Sequence, residues 1–395
     1  MLLGQEGVDP DKTDNDCRAP ISFAAWGGLE GVVKILLAQE GVNPDKPDKR
    51  GRTPLWYAAG GGNEEVVKIL LEKEGVNPDK PDCYGDTPLL ISAYEGHENV
   101  VKILLGREEV NPDLLYDGGN TLLSCAAYSG CQEVVKILLG RRELNPDQQN
   151  NHGNTPLSIA AQYGRDDIVK ILLAREEVNP ELPDDDGDTP LSCAAYSGHE
   201  EVVKILLGQG AVNPNRPNHA CQTPLAQAAQ NGHEAVGKAL LRQKEINPDQ
   251  ADDLGNTPLA LAALRGHESV VKILLEKEGV NPDNPANTGE TPLTYAAWEG
   301  HEGVVKILLK RGEVNPNKVD NDGDTPLSCA VRRGHEGVVE ILLRLEEVNP
   351  YNQGNDGKIP LMHAAQHGDQ RMIELLQSRE AVPHGTLSGL GDATP

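Results

Sequence analysis

The dipeptide Thr-Pro returns along this chain at a step of 34 residues: Thr53-Pro54, Thr87-Pro88, Thr155-Pro156, Thr189-Pro190, Thr223-Pro224, Thr257-Pro258, Thr291-Pro292 and Thr325-Pro326. Ala19-Pro20, Thr121-Leu122 and Ile359-Pro360 are degenerate copies in the same register. Eleven copies fill residues 14–382 without insertion or deletion. A unit this short cannot bury an apolar face by itself, so neighbouring units must stack to share a core. A chain of 395 residues is then one array rather than two or three globular domains.

Each unit reads as helix, turn, helix and long loop. Threonine before proline is a helix N-cap followed by the favoured first helical position. In Thr189-Pro190-Leu191-Ser192-Cys193-Ala194-Ala195 the alanines permit close helix approach, and Gly198 ends the helix. That glycine is present in all eleven copies, from Gly28 to Gly368, as a terminal position of positive φ requires. Glu201-Val202-Val203-Lys204-Ile205-Leu206-Leu207 has the helical spacing of a second, amphipathic helix. An Asn-Pro loop follows in ten copies, from Asn43-Pro44 to Asn349-Pro350, where proline stops the helix and stiffens the connection.

The pattern Thr-Pro-Leu-x-x-Ala-Ala-x-x-Gly-His-x-x-Val-Val-x-x-Leu-Leu resembles the ankyrin repeat, and Asp184-Asp185-Asp186-Gly187-Asp188 resembles the turn that precedes its first helix. The resemblance covers nearly the whole chain. It implies an all-α ankyrin-repeat solenoid of helix-turn-helix units with hairpin-like loops. It also implies a curved rod whose concave side carries the first helices and turn tips. With helix layers about 10 Å apart, eleven units would span on the order of 100 Å. The step exceeds the usual ankyrin period of about 33 residues, and the extra residue falls in the Asn-Pro loop. The family's histidine after Thr-Pro-Leu is replaced by Trp56, Leu90, Ser158 or Ser192, which removes its usual hydrogen bonds. Tetratricopeptide arrays share the longer period, but their Trp-x-x-Leu-Gly-x-x-Tyr pattern is missing. The strong likeness among copies is similar to that of ankyrin arrays in fungal receptor-like proteins.

The ends differ. Gln377, Asp369, Gln370 and Arg371 give the last unit the polar outer face of a cap, and residues 383–395 read as a flexible tail. Residues 1–13 match only the second half of a repeat, so a truncated array is expected, with a degenerate N-terminal cap as the alternative. Unit seven is eroded: Gly237 replaces valine, Ala239 replaces isoleucine, and Cys221 replaces the turn glycine, as Cys17 does in unit one. Losing a core isoleucine side chain costs about 2–5 kcal/mol and a helical glycine about 1 more, which predicts a weak point at residues 218–251.

The resemblance places the two positions after Ala-Ala in the groove. The first holds Trp26, Gly60, Tyr94, Tyr128, Gln162, Tyr196, Gln230, Leu264, Trp298, Arg332 and Gln366. Five of the chain's thirteen aromatic residues fall in this column, and Tyr163, Arg265 and Arg333 lie beside it. Tyrosine, tryptophan and arginine dominate interface hot spots. The candidate partner-binding residues are therefore Trp26, Tyr94, Tyr128, Tyr163, Tyr196, Arg265, Trp298, Arg332 and Arg333. Covering the seams between repeats is the competing role, but a packing column would not accept Gly, Gln, Leu and Arg as well.

Composition narrows the partner. A net charge of -25 repels phosphate, so neither nucleic acid nor an anionic membrane is expected. No apolar run reaches membrane-spanning length. Seven cysteines without a Cys-x-x-Cys pair and no glycosylation sequon fit the cytoplasm or the nucleus. There is no P-loop, dinucleotide fingerprint or His-Glu-x-x-His. His97, His199, His233, His267, His301 and His335 lie one unit apart, too far to share a metal, and read as helix-start residues. Cys125, Cys193 and Cys329 read as small core groups. The acidic run at 184–188 lacks the first ligand of a calcium loop, because Leu182 stands there. No catalytic residue, cofactor or metal is expected. The expected function is a monomeric protein-protein interaction module using the concave groove. The alternative is the recognition arm of a larger receptor or enzyme whose N-terminal domain is missing from this sequence.

Overall fold

The computed structural model describes residues 9–141 and 144–380, the side chains of residues 117, 379 and 380 excepted. The half-repeat before residue 9 and the tail at 383–395 lie outside the described residues. Among these residues there are twenty-two α-helices in consecutive pairs, one short 3-10 turn at Asp117–Gly119, and no strand. The chain divides into two compact units, one of residues 1–194 with 201–212 and one of residues 195–200 with 213–395. In the first, the helices Pro20–Trp26, Pro54–Gly60, Pro88–Tyr94, Leu122–Ser129 and Pro156–Gln162 pack in succession as one layer. The helices Glu30–Leu37, Glu64–Leu71, Glu98–Leu105, Gln132–Leu139 and Asp166–Leu173 form the other. The second unit repeats this arrangement from Pro224–Gln230 to Gln370–Glu380.

The local chemistry explains each boundary. The hydroxyl of Thr53, Thr87, Thr155, Thr223, Thr257, Thr291 or Thr325 accepts the third helical N–H, and proline occupies the first helical position. Thr155 with Ser158 and Thr325 with Ser328 close full capping boxes. Where Ala19 or Ile359 stands instead, the cap hydrogen bond is lost and the helix still starts. The glycine column from Gly28 to Gly368 adopts positive φ throughout, between 64° and 83°.

The turn before each first helix is built by an acidic or amide side chain. Asp48 Oδ1 accepts the N–H of Arg50 at 2.8 Å and of Arg52 at 2.9 Å. Asp82, Asn150, Asp252 and Asp320 make the same two bonds. Successive tips then join through the backbone, as Asp185 N–H to His152 carbonyl in the first unit and Asn321 N–H to Thr288 carbonyl in the second.

The core is the Leu of Thr-Pro-Leu, the Ala-Ala pair, both valines and the first leucine of Leu-Leu, nearly all without solvent contact. The isoleucine between lysine and Leu-Leu is not core. Ile35 is 54% exposed, and Ile69, Ile103, Ile137, Ile171, Ile205, Ile307 and Ile341 are half-buried. Ala239 therefore removes less than a core isoleucine would, and the expected 2–5 kcal/mol is too large. At Gly237, a Cβ would lie 3.0 Å from Ile273 Cδ1. Ile273 is buried, unlike the other isoleucines of its column, and occupies the space that the missing valine leaves. At the far end Gln377 is exposed, as a cap residue should be.

Candidate functional site

Five aromatics of the groove column reach solvent. Trp26 is 55% exposed, Tyr94, Tyr128 and Tyr196 are also exposed, and Trp298 is partly covered. Within the first unit the structure brings three candidates together. The rings of Tyr94 and Tyr128 stack at 6.0 Å, and Tyr163 meets Tyr128 edge-on at 4.6 Å. Their shared cleft, about 370 Å³, is floored by Ile159 and Cys125 and rimmed by Asn120, Asn150, Asn154 and Gln162. Burial pushes the Cys125 thiol up to about 12, with Asp86 adding to the effect. A thiol this hard to ionise is packing rather than a nucleophile.

In the second unit the candidates do not form one cluster. Arg333 lies over the Trp298 ring at 4.4 Å, a cation-π contact. Arg332 is tied to the buried carboxylate of Asp324. Arg265 is exposed, and so is Tyr196.

The backbone of this column is held from the next repeat. His335 Nε2–H donates to the Trp298 carbonyl at 2.9 Å, His233 to Tyr196, His267 to Gln230, His301 to Leu264, and His97 to Gly60. Arg165 Nε makes the equivalent bond to Tyr128, and Asn63 Nδ2 to Trp26. The imidazole packs against the glycine that ends the preceding first helix. A Cβ on Gly300 would sit 2.6 Å from His335 Nδ1, and Gly198, Gly232 and Gly266 face their histidines in the same way.

The family described as ankyrin repeats (3 copies) matches eight overlapping segments, from residues 1–82 to residues 312–384, which together leave no gap. The chain belongs to the ankyrin-repeat family. No curated protein matches it. Ankyrin repeats are generally protein-interaction modules, and among the described residues no helix is long and apolar enough to cross a membrane.

Reading the ankyrin columns alone misses a second aromatic cluster, between the first helices of repeats one and two. Tyr57 meets Trp26 and Trp56 edge-on at 6.2 and 5.4 Å. Arg52 lies over both Trp56 and Tyr57, and Arg18 over Phe23. Tyr57 donates its hydroxyl to Asp48 Oδ2 at 2.7 Å, and the Arg52 guanidinium holds the same oxygen at 2.8 Å. Burial pushes Tyr57 up to about 12, reinforced by that carboxylate. Burial would raise Asp48 too, but the bonds from Tyr57, Arg52 and Arg50 outweigh it and hold the carboxyl below its usual range. The signal was present in the sequence as Arg18, Phe23, Trp26, Arg52, Trp56 and Tyr57. These positions come together only once the two repeats are stacked.

Proposed function

We propose that this ankyrin array binds a protein partner through the groove face of its first helices and performs no chemistry of its own. The observation that carries the reading is the Tyr94-Tyr128-Tyr163 ladder. Three large rings from three successive repeats share one cleft and remain open to solvent. Rigid tyrosines give wide contact at low entropic cost, and surrounding amides supply adaptable hydrogen bonds. Trp26, Tyr196, Trp298 and Arg332 on the same column, with Arg265 and Arg333 beside it, are further contact points, and the cytoplasm or nucleus is the expected compartment. The array acts as a monomer without cofactor or metal. His97, His233, His267, His301 and His335 are engaged in contacts between repeats, and burial keeps Cys125, Cys193 and Cys329 from ionising readily.

The test is capture from a lysate of the source with the wild-type chain and with Tyr94→Ala/Tyr128→Ala/Tyr163→Ala. Loss of a specific partner with unchanged helical circular dichroism supports the reading. Equal capture by both proteins removes the ladder as the binding element.

A further inference from the structure

The cleft between the first helices of repeats one and two holds about 270 Å³ and is walled by Phe23, Trp26, Trp56 and Tyr57, with Arg18 and Arg52 at its edges. Two polar groups in it are buried and have no hydrogen-bond partner: Trp56 Nε1 and Ser22 Oγ. Trp56 is 8% exposed and Ser22 1% exposed. An unsatisfied buried donor costs about 1–3 kcal/mol, so two beside one cleft call for an acceptor there. The indole nitrogen can only donate, which excludes a cation or a second donor as its partner.

The charges nearby select the kind of acceptor. Asp14 engages Arg18, and Asp48 engages Arg52, through Nε and Nη2 in both cases, and Asp16 also approaches Arg18 Nη2 at 3.4 Å, so Nη1 serves none of these pairs. The turn tip of repeat two is Lys49-Arg50, both exposed, a basic tip in a chain whose other tips are acidic or neutral. Against a net charge of -25, the turns of repeats one and two carry Arg18, Lys49, Arg50 and Arg52 against Asp14, Asp16 and Asp48. Distant acidic groups are screened beyond roughly 10 Å at moderate salt. The aromatic walls suit an apolar stem.

The geometry points to a binding site for a carboxylate carried on an apolar stem, as on the terminal residue or a glutamate of a peptide, with Trp56 Nε1–H, Ser22 Oγ–H and the Arg18 guanidinium as its donors. The site is separate from the tyrosine ladder and stands whether or not that ladder binds protein.

Titration of the full chain with 3-phenylpropionate, followed through the indole N–H resonance of Trp56, tests it. The matched amide, 3-phenylpropionamide, isolates the charge. A saturable shift with the acid, at least tenfold weaker with the amide, is expected. Ser22→Ala and Arg18→Gln should each weaken the acid at least tenfold while circular dichroism stays unchanged. Arg18 and its partner Asp14 are 35% and 33% exposed, so Arg18→Gln is expected to leave the core undisturbed. N-acetyl-glycyl-leucine and N-acetyl-glutamyl-leucinamide then distinguish the two carriers, and tighter binding of either supports the site. Equal response to acid and amide overturns the proposal, as does no saturable shift with either.

Discussion

Asn215 accepts the backbone N–H of Asn247 at 2.8 Å while its own amide donates to the Glu245 carbonyl at 2.7 Å. Asn317 repeats both bonds with Asn349 and Glu347. Apart from Glu181 and Tyr351, the other repeats hold aspartate in this column. Asp79 accepts the N–H of Asn111 at 2.7 Å, and Asp147, Asp249 and Asp283 do the same one repeat on, but in each the second oxygen is buried without a partner. A carboxylate there has nothing to donate to the carbonyl that asparagine satisfies.

Asp79→Asn should therefore stabilise the array, by about 1 kcal/mol if the amide makes the bond seen at Asn215. Burial raises the Asp79 carboxyl above 3.8, with the Asn111 bond only partly offsetting it. A raised carboxylate destabilises the fold at neutral pH and ceases to do so as pH falls through its folded value. The gain of Asp79→Asn in urea midpoint should accordingly be largest at pH 7 and shrink toward pH 4. A gain that grows on acidification would contradict this account.

Cys17 and Cys221 stand where the other turns place glycine, and both adopt positive φ, 61° and 58°. A side chain in the left-handed region costs about 1–2 kcal/mol. Cys221→Gly should raise stability by about 1 kcal/mol, whereas Cys221→Ala should not, because alanine keeps the Cβ. Thermal unfolding of the pair separates conformational strain from any effect of the thiol.

Repeat seven should exchange its amides first. Gly237 lies inside the second helix, Glu234–Leu241, where it lowers helix propensity and leaves the valine's contacts to Ile273 alone. Gly237→Ala alone brings a methyl to 3.0 Å from Ile273 Cδ1. Combined with Ile273→Val it has room, and helix propensity then favours it by about 1 kcal/mol. Hydrogen exchange over residues 218–251 should be fast in the wild type and slowed in the double variant. Uniform exchange along the chain would remove the weak point.

The pair Gly300 and His335 gives a test of the contact between repeats. His335→Ala loses the bond to the Trp298 carbonyl and should cost about 1 kcal/mol. Gly300→Ala meets both a positive φ and the imidazole at 2.6 Å, so it should cost more. Adding His335→Ala to Gly300→Ala relieves the clash but not the backbone strain. The double variant should be less damaging than the two losses added, which a double-mutant cycle reads directly.

The fold was legible because its signals are local. Thr53 and Pro54 cap the helix they start, and Gly28 ends one within a few residues. The exposed column was legible too, since Tyr128 follows Ala126-Ala127 and Tyr94 follows Ser92-Ala93, small residues whose inward direction is fixed. What the sequence hid depends on stacking. The bond from Asn111 to Asp79 spans 32 residues, and that from His335 to Trp298 spans 37, so the histidine reads as a helix-start residue and the Asn-Pro-Asp loop as a mere stop. Arg332 looks like a groove cation, yet Asp324, earlier in the same repeat, already claims it. Trp56 and Ser22 carry no repeat signature, and their missing partners are visible only as atoms.

The bond from His97, His233, His267, His301 or His335 to a carbonyl of the preceding repeat grips the backbone of the groove-column residue and never its side chain. The position is thus pinned by a neighbour indifferent to what is mounted there, as a socket is indifferent to the bulb. Gly60, Tyr196, Gln230, Leu264 and Trp298 can succeed one another along the row without any of them being needed to hold the row together. Recognition in such an array can be rewritten one repeat at a time, with the fold as a fixed instrument and the side chains as its interchangeable keys.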